Sequence, residues 1–202
     1  MGCDIHLYVE YLQSFNGYPI WYNCDHWRLN PYFEYDESSD SETRFNVVSL
    51  YRDRNYDLFA ILADVRNYGD ATTPIDDPRG LPIDVSPIVK EESNHWGNDG
   101  HSHSWFTLKE LKGNISEEIK RSGLISPEQA KDLDECGINP KTWCQGTSNK
   151  DYVRREWSEK YCPLNELIKR IEERKKEVFW IFDKQEHPEF DDKIRIVFWF
   201  DN

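Results

Sequence analysis

The stretch Cys3-Asp4-Ile5-His6-Leu7-Tyr8-Val9-Glu10-Tyr11 decides the fold. Cys3, Ile5, Leu7, Val9 and Tyr11 point one way, while Asp4, His6, Tyr8 and Glu10 point the other. Side chains alternate across a pleated backbone, so this period of two predicts a half-buried strand. Asn16-Gly17 comes next, and both residue types tolerate the positive φ that a tight hairpin requires, so residues 18–24 are the expected return strand. The far end of the chain repeats the theme. Ile194, Ile196, Phe198 and Phe200 share one face of residues 193–201, and residues 178–182 are the expected partner across the loop containing Pro188. Both termini therefore read as strands of one sheet.

Helical spacing appears between them. Leu58, Ile61, Leu62 and Val65 recur at i, i+3, i+4 and i+7, which predicts a helix over 56–67. Ser126 before Pro127 is an N-cap with proline at the first helical position, and Gly137 closes that helix. Pro163 opens a third helix through Leu164, Leu167, Ile168 and Ile171, and shorter ones are expected at Ser86-Pro87 and near Thr107. The expected architecture is α+β, a single domain over residues 1–202. Its mainly antiparallel sheet is formed by the terminal strands and packed by helices, with Ile5, Leu7 and Val9 against the helix 56–67. Residues 114–150 read as a helical insertion, 36–43 as an acidic serine-rich surface loop, and 68–85 as an irregular proline-rich connection of the kind that often carries function.

The totals restrict the partners. With 38% hydrophobic and 14% aromatic residues, the 202-residue chain has enough large apolar side chains for a packed core. A net charge of −13 repels phosphate backbones, whose neutralisation drives most polymer binding, so long DNA or RNA is set aside. A small phosphorylated ligand stays open, because a few local arginines suffice to hold it. The five cysteines form no CxxC pair and suggest no disulfide framework. No apolar run approaches the roughly 18 residues of a membrane span, and no signal peptide is apparent. The expected location is the cytoplasm, with no membrane partner.

Chemistry concentrates in His95-Trp96-Gly97-Asn98-Asp99-Gly100-His101-Ser102-His103-Ser104-Trp105, where three of the six histidines fall close together. Gly97 and Gly100 let the backbone turn tightly enough for Asp99 and His101 to face a common point. Asp4 and His6, two apart on a strand, share a face; His101 and His103 do so as well if their stretch is extended. These four form a candidate ligand set for a divalent ion, since carboxylate and imidazole together suit such metals. With Asp70 and Asp99 they bear a partial likeness to the motifs of calcineurin-like metallophosphoesterases. No hydrophobic strand precedes Asp4 and no histidine follows Asn98, which argues against that fold. The same segment equally suits a planar ligand, because His95-Trp96 and His103-Ser104-Trp105 offer rings for stacking. Arg66 and Arg79 are the candidate phosphate partners. Arg66 also has a structural reading, as a cation favourably placed at a helix C-terminus. Cys3 faces the apolar side of its strand, which favours packing over nucleophilic chemistry.

Four stretches, MGCDIHLYVEY, RNYDLFAILADVRN, RGLPIDVSPIV and WGNDGHSHSWFTLKEL, together resemble a family of small proteins of bacteriophages and some bacteria. The likeness covers roughly the first 112 residues and carries no catalytic assignment. It implies a phage accessory protein acting in the host cytoplasm, where proteins of this kind evade host defence by binding or cleaving nucleotide signals. The leading expectation is therefore binding and sequestration of a small nucleotide-derived molecule by Asp4, His6, Arg66, Arg79, Trp96, Asp99, His101, His103 and Trp105. The alternatives are a metal-dependent phosphoester hydrolase using Asp4, His6, His101 and His103, and an acidic inhibitor that binds a host defence protein. Self-association into a homo-oligomer is left open.

Overall fold

Strand β1 (Asp4–Phe15) turns at Asn16 and Gly17, both at positive φ, and returns as β2 (Tyr18–Asn23). In the computed structural model, which describes residues 2–31, 45–68, 72–116 and 118–202, β1 lies at the interior of a four-stranded antiparallel sheet. The acidic stretch 36–43 and Asp70 fall outside the described residues.

The strand order is β2-β1-β8-β5, with β5 spanning His101–Thr107 and β8 spanning Ile194–Asp201. The fold is α+β, and its terminal strands pair directly: Asp4 opposes Asp201, His6 opposes Trp199, Tyr8 opposes Val197 and Glu10 opposes Arg195. Residues 178–182 do not supply the partner of β8. Helix α5 (Leu164–Val178) takes up the first of them, and no described strand includes the rest. Residues 178–182 are rich in branched and aromatic side chains, a bias toward strand that tertiary context readily overrides.

One face of the sheet carries Ile5, Leu7, Val9, Ile194, Ile196, Phe198, Phe200 and Phe106, all buried. The opposite face is also covered. Tyr8, Val197 and Trp199 pack with Val89 of helix α2 (Pro87–Trp96), joined by Leu81, Val85, Trp96 and Trp105. Tyr8 and Glu10 on the polar side of β1 therefore do not face water, and their side chains must find partners inside the protein.

The chain divides into two compact units, Met1–Arg54 with Pro78–Gly113 and Leu167–Asn202, and Asn55–Asp77 with Asn114–Glu166. The first holds the sheet, α2, helix α3 (Leu108–Gly113), a 3-10 turn at Pro188–Lys193 and most of α5. It also holds the short pair β3 (His26–Leu29) and β4 (Phe45–Val48). Inside it, Lys175 is 2% exposed and bonds Asp191 at 2.7 Å, which ties α5 to the 3-10 turn.

The second unit is built on helix α1 (Tyr56–Ala63), the pair β6 (Ile119–Ile125) and β7 (Val153–Glu159), and helix α4 (Pro127–Cys136). Helix α4 is capped as the sequence indicates: Ser126 Oγ accepts from Gln129 N, and Gly137 sits at φ 66°. Helix α1 is shorter than 56–67, because Asp64 adopts the left-handed conformation and closes it at Ala63. Arg66 consequently stands in the turn beyond, itself at φ 59°, and gains nothing from the helix dipole. The insertion is not purely helical either, since β6 and β7 form an antiparallel hairpin around α4. Their short, weakly alternating pattern gave little periodic signal.

Candidate functional site

In the first unit a cleft of about 440 Å³ opens at the end of the sheet where β1 begins. Asp4, His6 and Tyr8 from β1, Asp201 from β8, Trp96 at the end of α2, Val47 from β4, and Ser49 and Arg52 beyond it line the cleft. Trp96 reaches this position because Gly97, at φ 49°, ends α2 immediately after it. The His6 ring lies 4.0 Å from Trp96 and 5.8 Å from Trp199, so one wall of the cleft is aromatic.

The polar groups are distributed unevenly. Asp4 gives both carboxylate oxygens to Arg54, at 2.6 Å each, and this guanidinium holds the Asp4 carboxyl below its ordinary value. His6 Nε2 stands 3.3 Å from Asp201 Oδ2 without hydrogen-bond alignment, which leaves a buried ring nitrogen unpartnered at the cleft wall. Such atoms are uncommon in folded proteins and call for an explanation. Arg52 lines the mouth and donates to Val47 O at 3.1 Å. Tyr8 gives its hydroxyl to Glu92 at 3.0 Å; burial first, and then Glu92, push its phenol far above the ordinary range, so it stays neutral.

Of the residues expected in the site, Asp4, His6 and Trp96 meet in this cleft. His103 is close by on the same sheet face. Its ring stacks on Trp199 at 5.4 Å and its Nε2 is 2.9 Å from Ser93 Oγ of α2. Burial, then the neighbouring His101, keeps its imidazole pKa below the usual value. His101 does not share that face. Three steps along β5 from His101 to Ser104 match two along β8 from Phe200 to Phe198, with Ser102 at φ 52° in the resulting bulge. The extra residue sends His101 to the Phe200 side, where its Nε2 meets Asn202 at 3.1 Å. Asp99 is exposed in the turn after α2, where its N–H donates to Trp96 O.

Trp105 and Arg79 hold structure together at the other end of the same sheet face. The Arg79 guanidinium lies 5.0 Å over Trp105, bonds Trp105 O at 3.2 Å and Glu110 at 2.8 Å, and so fastens the irregular loop to β5. Arg66 belongs to the second unit, where it donates to Tyr68 Oη at 2.9 Å.

The metal set does not assemble. Asp4 is occupied by Arg54, the Trp199 indole stands on the strand between His6 and His103, and His101 faces away. Among the described residues no group of three or more His, Cys, Asp or Glu side chains is placed to hold an ion.

Asp201, Trp199 and Ser93 were not identified from sequence, and Arg52 reads there as a surface ion-pair residue. Alternation along residues 194–201 does put Trp199 and Asp201 on one face, but their pairing with His6 and Asp4 follows from strand register alone. No family model, no curated protein and no solved structure matches the chain. Among the described residues, no helix is long and apolar enough to cross a membrane.

Proposed function

We propose that the protein binds and sequesters a small nucleotide-derived molecule in the cleft of the first unit, in keeping with the phage accessory role that its sequence resemblance implies. The observation that carries this reading is the aromatic wall of Trp96 and His6 beside a buried, unpartnered His6 Nε2. A planar heterocycle satisfies both features, giving its face to the rings and an edge to the imidazole and the Asp201 carboxylate. Arg52 at the mouth supplies the charge for a phosphate. At about 440 Å³ the cleft lies within the roughly 300–1,000 Å³ typical of small-molecule sites. Of the two tryptophans that the sequence offers for stacking, Trp96 is the one used here, because Trp105 is already covered by Arg79. Hydrolysis by a bound metal is not part of this proposal, since its four candidate ligands are not brought together.

Calorimetry with cyclic dinucleotides, ADP-ribose derivatives and mononucleotides tests it. Stacking on one ring is worth about 1–3 kcal/mol, so Trp96→Ala should weaken a bound ligand roughly tenfold or more while leaving the fold intact. Absence of binding by the wild type at millimolar ligand, or binding indifferent to Trp96→Ala, overturns the proposal.

A further inference from the structure

The hairpin of β1 and β2 runs beyond the elements that cover the rest of its sheet. Burial along β1 gives way to exposure after Leu12, and Phe15, Tyr18, Ile20 and Tyr22 stand open to solvent. Phe15 opposes Tyr18, Gln13 opposes Ile20 and Tyr11 opposes Tyr22, so these apolar side chains share the face that carries Tyr11. Phe179 meets Tyr11 edge-on at 6.2 Å and brings the end of α5 to the border of that face. Just beyond it Trp180 and Phe182 are 76% and 87% exposed. At roughly 200 Å² for a large aromatic side chain, Phe15, Tyr18, Tyr22, Trp180 and Phe182 leave about 650 Å² uncovered. A patch of this size marks an interaction surface.

Charge indicates what covers it. Residues 11–24 are the longest run without Asp, Glu, Lys or Arg in a chain that is 31% charged and carries a net −13. Two copies repel one another over most of their surfaces, and this neutral hairpin is where they meet at the least electrostatic cost. A basic partner would be drawn to the acidic surface instead.

The two edges of the sheet point the same way. On β5, Gly80 N–H donates to His103 O at 2.8 Å and Arg79 to Trp105 O at 3.2 Å, so the loop before α2 seals that side. Among the described residues no strand pairs with the outer side of β2. Cys24 N–H bonds Val9 O at 2.9 Å, and alternation from that pair turns the backbone groups of Pro19, Trp21 and Asn23 outward. Pro19 brings no N–H to this edge, but no charged residue guards it.

We propose that the protein forms a twofold dimer through antiparallel pairing of β2 with β2 of a second copy, which joins two four-stranded sheets into one. An edge that pairs with itself about a twofold axis satisfies the same groups in both copies. One open edge per sheet halts assembly at two. A standard interface takes roughly 800 Å² from each partner, and strand pairing adds to the aromatic patch what that requires.

Sedimentation velocity on the full chain over about 1–100 µM tests the assignment, since a dimer of this kind is governed by concentration. A single monomer–dimer equilibrium should appear. Ile20→Lys places like charges across the junction and should weaken it at least about tenfold. Tyr18→Lys, at a more exposed position, repeats the test should Ile20→Lys fail to fold, and Ile83→Lys, exposed but outside the hairpin, should change nothing. Raising the salt should tighten the dimer, because screening relieves the repulsion between two acidic chains. Hydrogen exchange at the Trp21 amide should slow as the dimer fills. A wild type that stays monomeric at the highest concentration overturns the proposal, as does a dimer that both hairpin lysines leave intact, or assembly beyond two copies. Flotation of the monomer with phosphatidylcholine vesicles, lost in Tyr18→Lys, also overturns it by giving the patch to a membrane.

Discussion

Replacing Arg195 by methionine should destabilise the first unit by about 3–5 kcal/mol, as much as a large-to-small core substitution. Arg195 is 2% exposed and Glu10 is fully buried, and they face each other in register on β8 and β1. Nε donates to Glu10 Oε2 at 2.8 Å, while the other Glu10 oxygen accepts from Ser86 N at 2.8 Å. Arg195 also bonds the Asp84 carboxylate at 2.8 Å and lies 3.9 Å over the Trp21 ring. Arg195→Met leaves Glu10 charged, buried and unpaired, a situation that costs about 3–5 kcal/mol. Asp84 is half exposed, so its lost pairing adds under about 1 kcal/mol. Glu10→Gln in the same chain removes the stranded charge and keeps an acceptor for Ser86, so the double variant should recover most of the loss. Urea unfolding of the four proteins of the cycle gives both numbers, with an expected coupling of at least about 2 kcal/mol. Because Ser86 is the N-cap residue of α2 and Trp96 its last residue, Arg195→Met should also weaken ligand binding in the cleft. A loss under about 1 kcal/mol, or a double variant equal to the sum of the singles, refutes the reasoning.

Two pH effects follow from burial. Asp25, which accepts from Val9 N and Asn23, is pushed by burial up to about 6 from an ordinary 3.8. The folded state holds a proton there that the unfolded chain has already released, so this contribution is complete below about pH 4 and lost as pH rises through 6, about 3 kcal/mol in all. Asp25→Asn should flatten that decline in urea midpoints taken from pH 4 to 7; parallel slopes for the two proteins contradict it. His103 is held below 6.5 by burial, so its stabilising neutral form is lost as pH falls through the window below that value. Its imidazole signals should titrate with a midpoint under 6.5, and a midpoint at or above it shows that the ring is not desolvated as described.

Elements that depend on near neighbours were legible in the chain. Alternation over residues 3–11, Asn16-Gly17 at the hairpin, Ser86-Pro87 and Ser126-Pro127 at helix starts, and Gly137 at a helix end all appear as read. Each is set by a backbone preference acting within a few residues. Where a local pattern failed, a single backbone conformation was responsible: left-handed Asp64 shortens α1, and left-handed Ser102 in the β5 bulge breaks the shared face of His101 and His103.

The candidate cleft was half legible. Asp4, His6 and Trp96 carry recognisable chemistry, and two of them belong to a strand whose alternation assigns them to one side. That the side is buried rather than wet is a fact about α2 and the loop before it, which cover the sheet. Pairing is a still longer-range matter. Asp201 meets His6, and Trp199 separates His6 from His103, because β1 and β8 pair across nearly the full length of the chain; no pattern inside either strand specifies that register. The sequence by itself therefore determined the α+β class and the side chains available for chemistry, since both follow from local periodicity and residue type. Tertiary structure alone decided which of them meet: it gave Asp4 to Arg54 and joined His6 to Trp96 and Asp201. It also placed Arg66 in the second unit, because pairing register and helix packing are settled by burying both faces of a sheet at once.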